Sequence, residues 1–156
     1  MTEPRNGSNA DVTTSEGIDT QVIEAFLGYS ARRASLVILA NFVRRMAPLA
    51  LRPVDFTVLA LAGSNPGITS SQLCQLLDIQ SPNLVVLIKQ LQDRGLIERR
   101  PHPTDGRAMG LHLTASGQGL VDQATTLAHE ADDEASGKLS AAERQTLARL
   151  LRKVYQ

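Results

Sequence analysis

One stretch, Ser81 to Leu113, limits what the rest of the chain can be: SPNLVVLIKQLQDRGLIERRPHPTDGRAMGLHL. Leu84, Leu87, Ile88 and Leu91 recur at the i, i+3, i+4, i+7 spacing of one buried helical stripe. Pro82 fits the first helical position, where its missing N–H has no partner to lose, and Ser81 before it is a candidate cap. Gly95 is the expected stop. Leu96 to Arg99 then reads as a strand and Gly110 to Thr114 as its partner. Between them PHPTDGRAM is a loop broken by Pro101, Pro103 and Gly106 and charged by Arg100, His102 and Arg107. A helix feeding a basic-tipped hairpin is the layout of a winged helix-turn-helix, in which the helix enters a DNA major groove and the loop reaches the backbone or minor groove.

The flanking segments fit that layout. Thr69-Ser70-Ser71-Gln72 is a capping box that opens a short helix with Leu73, Leu76 and Leu77 on one face. Asp78-Ile79-Gln80 is the turn into the next helix, which makes a helix-turn-helix. Upstream, Pro53 starts a helix that is apolar nearly all round and is expected to be buried; SNPG turns the chain after it. A longer helical pattern runs from Ile18 to Ala47 and ends at Pro48. Its apolar residues occupy more than one face, so it is either central in the fold or shared between subunits. After the hairpin, Thr114 opens a helix with the stripe Leu120, Ala124, Leu127, Ala128 and Ala131, expected to end near Gly137. Ser140 to Glu143 is a second capping box, and the final helix carries Leu147, Leu150, Leu151 and Val154. Residues 1–17 are polar and aperiodic and read as a disordered tail. The expected organisation is a tail at 1–17, a dimerisation helix at 18–50, a winged helix-turn-helix at 51–114 and C-terminal dimerisation helices at 115–156.

Composition excludes several alternatives. Only 3% of residues are aromatic, so a core must rest on Leu, Val, Ile and Ala, which suits packed helices. The fold class expected is mainly α with a small β wing. Sixteen basic residues balance 16 acidic ones, which by itself argues weakly against nucleic acid. The charge is sorted, however. Lys89, Arg94, Arg99, Arg100 and Arg107 outnumber Asp93, Glu98 and Asp105 around the hairpin, while acids gather in HEADDE at His129 to Glu134. The single cysteine, Cys74, allows no intrachain disulfide and suits a reducing compartment. No apolar run approaches the roughly 18 residues that span a bilayer. A cytoplasmic protein with no membrane partner is expected.

With these residues in place the chain resembles the MarR family of bacterial transcriptional regulators, over about residues 20–155. The most specific parts are Leu91, Gly95, Leu96, Ile97 and Arg99 in LxxxGLIxR, and Asp105, Arg107, Leu111, Leu113 and Thr114 in the DxR wing with LxLT. The resemblance implies a homodimer with interleaved terminal helices, a palindromic double-stranded DNA operator, and release by a small-molecule effector such as an aromatic acid or its coenzyme A thioester.

Taking the leucine stripe as buried, rotation at 100° per residue turns Pro82, Val86, Lys89, Gln90 and Asp93 outward, with Asn83 and Val85 flanking. Asn83, Lys89 and Gln90 have the donors and acceptors to meet base edges or phosphates, and Ser81 at the helix N-terminus can hold a phosphate. Relatives usually place polar or basic residues where Val85 and Val86 stand. A valine there touches a thymine methyl or a neighbouring helix, and the departure shifts weight to the wing. In the wing, Arg107 matches the family's minor-groove arginine and Asp105 the acid that braces it; otherwise the pair is a surface salt bridge. Arg100 and His102 are candidate phosphate contacts or solvated loop residues. Ser70 can reach the backbone, although capping already explains its cluster. Arg94 either caps last-turn carbonyls or meets a phosphate.

Tyr29, Arg33 and Arg44 share an otherwise apolar face and are candidate effector residues. An arginine on such a face needs a partner. It is either an anionic ligand or an acid of the other subunit, for which HEADDE is the candidate; Arg32 and Arg45 are expected to face solvent. Cys74 reads as a small core or boundary residue. His102, His112 and His129 have no ligand spacing, so neither a metal nor another cofactor is expected. No nucleophile–base set, paired carboxylate site or glycine-rich phosphate loop points to an enzyme. The remaining alternative is a winged helix used only for protein interaction.

Overall fold

The computed structural model describes residues 19–101 and 109–156. The described residues fall into two compact units that part between Ala34 and Ser35. The first holds the short helix α1 (Gln21–Glu24) and the start of α2 (Leu27–Met46). The expected continuous helix from Ile18 is therefore broken at Ala25 and Phe26. Its end also differs: a 3-10 turn, Ala47–Leu49, takes in Pro48 and closes on Ala50 in the left-handed conformation, φ 49°.

In the second unit, α3 (Pro53–Ser64) and α4 (Ser70–Leu77) precede α5 (Ser81–Asp93), and α6 (Ala115–Ala135) and α7 (Ala141–Tyr155) follow the hairpin. The hairpin strands β2 (Ile97–Pro101) and β3 (Met109–Leu113) pair antiparallel from Ile97–Leu113 to Pro101–Met109. A two-residue strand, β1 (Ile68–Thr69), pairs with the far edge of β3, giving the order β1-β3-β2. The sequence held no visible sign of it.

The capping boxes form as their spacing dictates. Thr69 Oγ1 accepts from the Gln72 N–H at 3.3 Å, and Gln72 Oε1 accepts from the Thr69 N–H at 2.8 Å. Ser140 and Glu143 do the same at the start of α7. Thr114 caps α6 by accepting from the Gly117 N–H, and its hydroxyl donates to the Gly95 carbonyl at 2.6 Å. Two glycines mark close backbone approaches. A Cβ on Gly110 would lie 2.7 Å from the Gly67 backbone, and one on Gly117 would lie 1.9 Å from the Leu96 carbonyl oxygen.

Leu84, Leu87, Ile88 and Leu91 are all buried, as their spacing requires, and join Val58, Leu59 and Ala62 of α3, Leu73 of α4 and Leu111 of β3 in one core. Leu76 departs from expectation: it is 63% exposed, on the edge of the α4 stripe rather than beneath it. In α6, Val121, Ala124 and Ala131 are buried, and Leu120, Leu127 and Ala128 are partly so. Leu147, Leu150, Leu151 and Val154 of α7 and Leu36, Val37, Leu39 and Val43 of α2 are exposed. Among the described residues no single helix is long and apolar enough to cross a membrane.

Candidate nucleic-acid interface

The helix-turn-helix is built from local rules. Asp78 ends α4 in the left-handed conformation, φ 50°, which the short polar side chain of Asp tolerates. Gln80 is extended, and α5 begins one residue before the expected point: Ser81 is its first residue and Pro82 its second. The Gln80 carbonyl accepts from Asn83 and Leu84. Past the last helical residue, Asp93, and the C-cap Arg94, Gly95 at φ 68° turns the chain, with the Leu96 N–H directed back to the Leu91 carbonyl at 3.0 Å.

With its leucine stripe buried, α5 turns Pro82, Asn83, Val85, Val86, Lys89, Gln90 and Asp93 to solvent. Val85 is 50% and Val86 57% exposed, so among the described residues no helix buries them. Ser81 is exposed at the helix N-terminus, where the leading N–H groups favour a phosphate. Ser70 is half-buried in the first turn of α4.

Two cations, one on α5 and one on β2, already have an acid. Lys89 Nζ lies 2.7 Å from Asp93 Oδ2, one turn on. Arg100 Nη2 lies 2.5 Å from Glu98 Oε1. Surface pairs of this kind contribute little to stability, on the order of 0–1 kcal/mol, and exchange readily for a phosphate. Of the wing residues, Arg100 lies in β2 and is exposed, whereas His102, Asp105 and Arg107 fall outside the described residues.

Two arginines beside α5 have connections that the sequence did not show. Arg94 Nη1 donates to the Ala50 carbonyl at 3.0 Å and Nη2 to the Leu49 carbonyl at 3.1 Å, so it caps the 3-10 turn rather than its own helix. Arg52, at the start of α3, places Nε 2.9 Å from Asp55 Oδ2 and Nη2 2.7 Å from Asp55 Oδ1. Its Nη2 also donates to Gln90 Oε1 of α5 at 2.9 Å. Asp55, 4% exposed, further accepts from the Arg52 N–H at 2.9 Å. Burial pushes the Asp55 carboxyl up, but hydrogen bonds from Arg52, with the charges of Arg52 and Arg94, outweigh it and hold the group below the usual carboxylate range. The Asp55 hydrogen bond in turn raises the Arg52 guanidinium. Arg52, Val54, Asn83, Val86 and Gln90 line an open cavity of about 350 Å³ beside the outward face of α5. The R-P-x-D spacing does reveal Asp55 at the third helical position; the reach to Gln90, 38 residues on, has no sequence signal.

Of the candidate effector residues, Tyr29 is half-buried and Arg33 exposed in the first unit. Arg44, in the second, has partners within its own chain: Nη2 lies 2.5 Å from Asn41 Oδ1 and 2.7 Å from Glu134 Oε1. The acid does come from HEADDE, but not from another subunit. Arg45, expected in solvent, is instead half-buried and reaches Glu130 at 3.1 Å and Glu134 at 3.2 Å. Hydrogen bonds from Arg44, then from Arg45, hold Glu134 below the ordinary range. Cys74 is half-buried, at the boundary of the core. Among the described residues no group of three His, Cys, Asp or Glu is placed to hold a metal ion.

Three comparisons bear on this geometry. The family model described as MarR family matches residues 51–108. The protein assigned as transcriptional regulator of the hcr operon in Thauera aromatica is 31% identical over 131 residues, which cover 83% of this chain and 79% of that protein. The transcriptional repressor CouR, solved bound to a 23-mer DNA duplex, superimposes with a TM-score of 0.82 at 31% identity, covering 89% of this chain and 99% of that one. The MarR family protein Rv2887 of Mycobacterium tuberculosis, solved with salicylic acid, superimposes with a TM-score of 0.68 at 26% identity, covering 83% of this chain and 96% of that one.

Proposed function

The chain belongs to the MarR family of transcriptional regulators, and from that premise we propose that it is a homodimeric repressor that leaves its operator when a small aromatic acid binds. One observation carries the DNA reading. Helix α5 is sealed to the core by four buried aliphatic residues, presents Asn83, Val86, Lys89 and Gln90 outward, and runs directly into the β2–β3 hairpin. That arrangement gives a helix the width of a major groove with a two-stranded hairpin following it. CouR was solved on a DNA duplex, which supports the same use here.

In this reading Asn83, Lys89 and Gln90 meet base edges and phosphates, Val86 packs on a thymine methyl, and Ser70, Ser81 and Arg100 hold the backbone. His102 and Arg107 extend the contact from the wing, with Asp105 bracing Arg107. The exposed aliphatic faces of α2 and α7 supply the surface for a second copy. Two copies place two α5 helices at a fixed spacing, which selects a palindromic site. The complex of Rv2887 with salicylic acid supports a small aromatic acid as effector, for which we assign Tyr29 and Arg33 as contacts. Arg44 has its charge met by Glu134 and takes a lesser part. We assign the chain no catalytic step.

A gel-shift titration on the DNA upstream of its own gene, repeated with aromatic acids and their coenzyme A thioesters, tests the proposal. Binding that one of these ligands releases supports it. Binding that none of them releases removes the effector half.

A further inference from the structure

We propose that Arg52, anchored on Asp55, is a specificity-determining residue that fixes the Gln90 amide of α5 and thereby directs this position to guanine rather than adenine. The inference rests on the proposed use of α5 as the helix that reads the major groove.

A glutamine on a reading helix has two options. Used with both arms, it accepts from adenine N6 and donates to adenine N7. Used only through its Nε2 hydrogens, it meets acceptors, and guanine offers two in the major groove, O6 and N7. Which option is open depends on what holds the amide. Arg52 is a donor only, so the arm of Gln90 that faces it must be the carbonyl; a flipped amide would set N–H against N–H. The 2.9 Å contact from Arg52 Nη2 thus commits Oε1 to Arg52 and leaves Nε2 as the arm that can meet a base.

Arg52 can impose this because it is itself held. Its guanidinium grips both oxygens of Asp55, at 2.9 and 2.7 Å, and Asp55 is buried and tied to the Arg52 N–H at the start of α3. A planar fork braced on two carboxylate oxygens fixes the direction of the second Nη2 hydrogen, the one that meets Gln90, which a flexible ammonium does not do. The cavity beside Arg52, lined also by Asn83, Val86 and Gln90, leaves room for a base edge or an ordered water at this spot.

The test uses the full-length protein and its upstream DNA, with every base pair of the bound site substituted singly and affinities read by competition. Gln90→Ala locates the relevant pair, because discrimination flattens there alone. The wild type should prefer guanine over adenine at that pair by on the order of tenfold. Arg52→Lys keeps a positive charge beside Asp55 but replaces the planar fork with a rotating ammonium on a flexible stem, which does not hold the Gln90 amide in one orientation. It should move the preference toward adenine at that pair and leave the others unchanged. Thermal melts of each variant accompany the titrations. A wild type that prefers adenine there, an Arg52→Lys profile that overlays the wild type, or a uniform loss across all pairs overturns the inference. A wild type that binds no upstream DNA removes the reading beneath it, a distinct outcome.

Discussion

Arg94, just past the end of α5, donates two hydrogen bonds to the carbonyls of Leu49 and Ala50, 3.1 and 3.0 Å away. The bonds tie the C-terminal end of the candidate reading helix to the turn that leads into α3. Hydrogen bonds to a charged group contribute about 1.5–3 kcal/mol, less where solvent reaches them. Arg94→Met should therefore cost about 1–2 kcal/mol in urea unfolding and weaken all DNA sequences by a similar factor. Arg94→Lys should recover part of the loss. Ala50 itself sits at φ 49°, where a Cβ is strained by about 1–2 kcal/mol, so Ala50→Gly should raise the melting temperature slightly.

Gly110 and Gly117 are set by backbone contact, and the two alanine variants should rank accordingly. At Gly110 the new methyl meets the Gly67 backbone at 2.7 Å; at Gly117 it meets the Leu96 carbonyl at 1.9 Å. Neither obstacle is a flexible side chain. Gly110→Ala should cost about 1–3 kcal/mol, while Gly117→Ala should cost more and reduce the yield of folded protein. Equal stability of Gly117→Ala and wild type by denaturant titration contradicts the packing of α6 on the hairpin.

On α5, burial and function separate cleanly between neighbours. Leu84→Ala removes a fully buried side chain and should cost about 2–5 kcal/mol. Val86→Ser alters a side chain that is more than half exposed, so stability should stay within about 0.5 kcal/mol. Its DNA affinity should nevertheless fall, mostly at sites with thymine opposite. Circular dichroism melts and anisotropy titrations on the same samples distinguish the two effects.

Stability should fall more steeply with acid in the wild type than in a chain lacking Asp55. The folded carboxyls of Asp55 and Glu143 lie below the ordinary range, the first through Arg52 against its burial, the second through hydrogen bonds from Ser140. A depressed folded pKa adds stability that is present above the unfolded value, about 4, and is lost as pH falls through the folded one. The pH dependence of stability below about pH 4 should be shallower in Asp55→Asn than in wild type. Parallel curves contradict the ion pair.

What could be read from the sequence was local. The stripe of Leu84, Leu87, Ile88 and Leu91, the Thr69–Gln72 and Ser140–Glu143 boxes, and the Gly95 stop depend on residues within two turns of each other, and all formed as expected. The misses have several causes. Strand β1 is two residues long and exists only because β3 offers an edge, so no periodicity marks it. The links Arg52–Gln90, Arg94–Ala50 and Arg45–Glu134 join residues 38, 44 and 89 apart, and only the fold brings them together. The break at Ala25 and Phe26 falls where the apolar pattern runs on unbroken. At the interface, the outward face of α5 followed from the buried one, but the pairing of Lys89 with Asp93 and of Gln90 with Arg52 did not.

The most direct measurement is an anisotropy titration of labelled DNA from upstream of its own gene, against a scrambled duplex of equal length, at two salt concentrations. The account predicts that the upstream duplex binds at least about a thousandfold more tightly near physiological salt, with affinity falling steeply as salt rises. Equal affinity for both duplexes, or no binding at low salt, contradicts it.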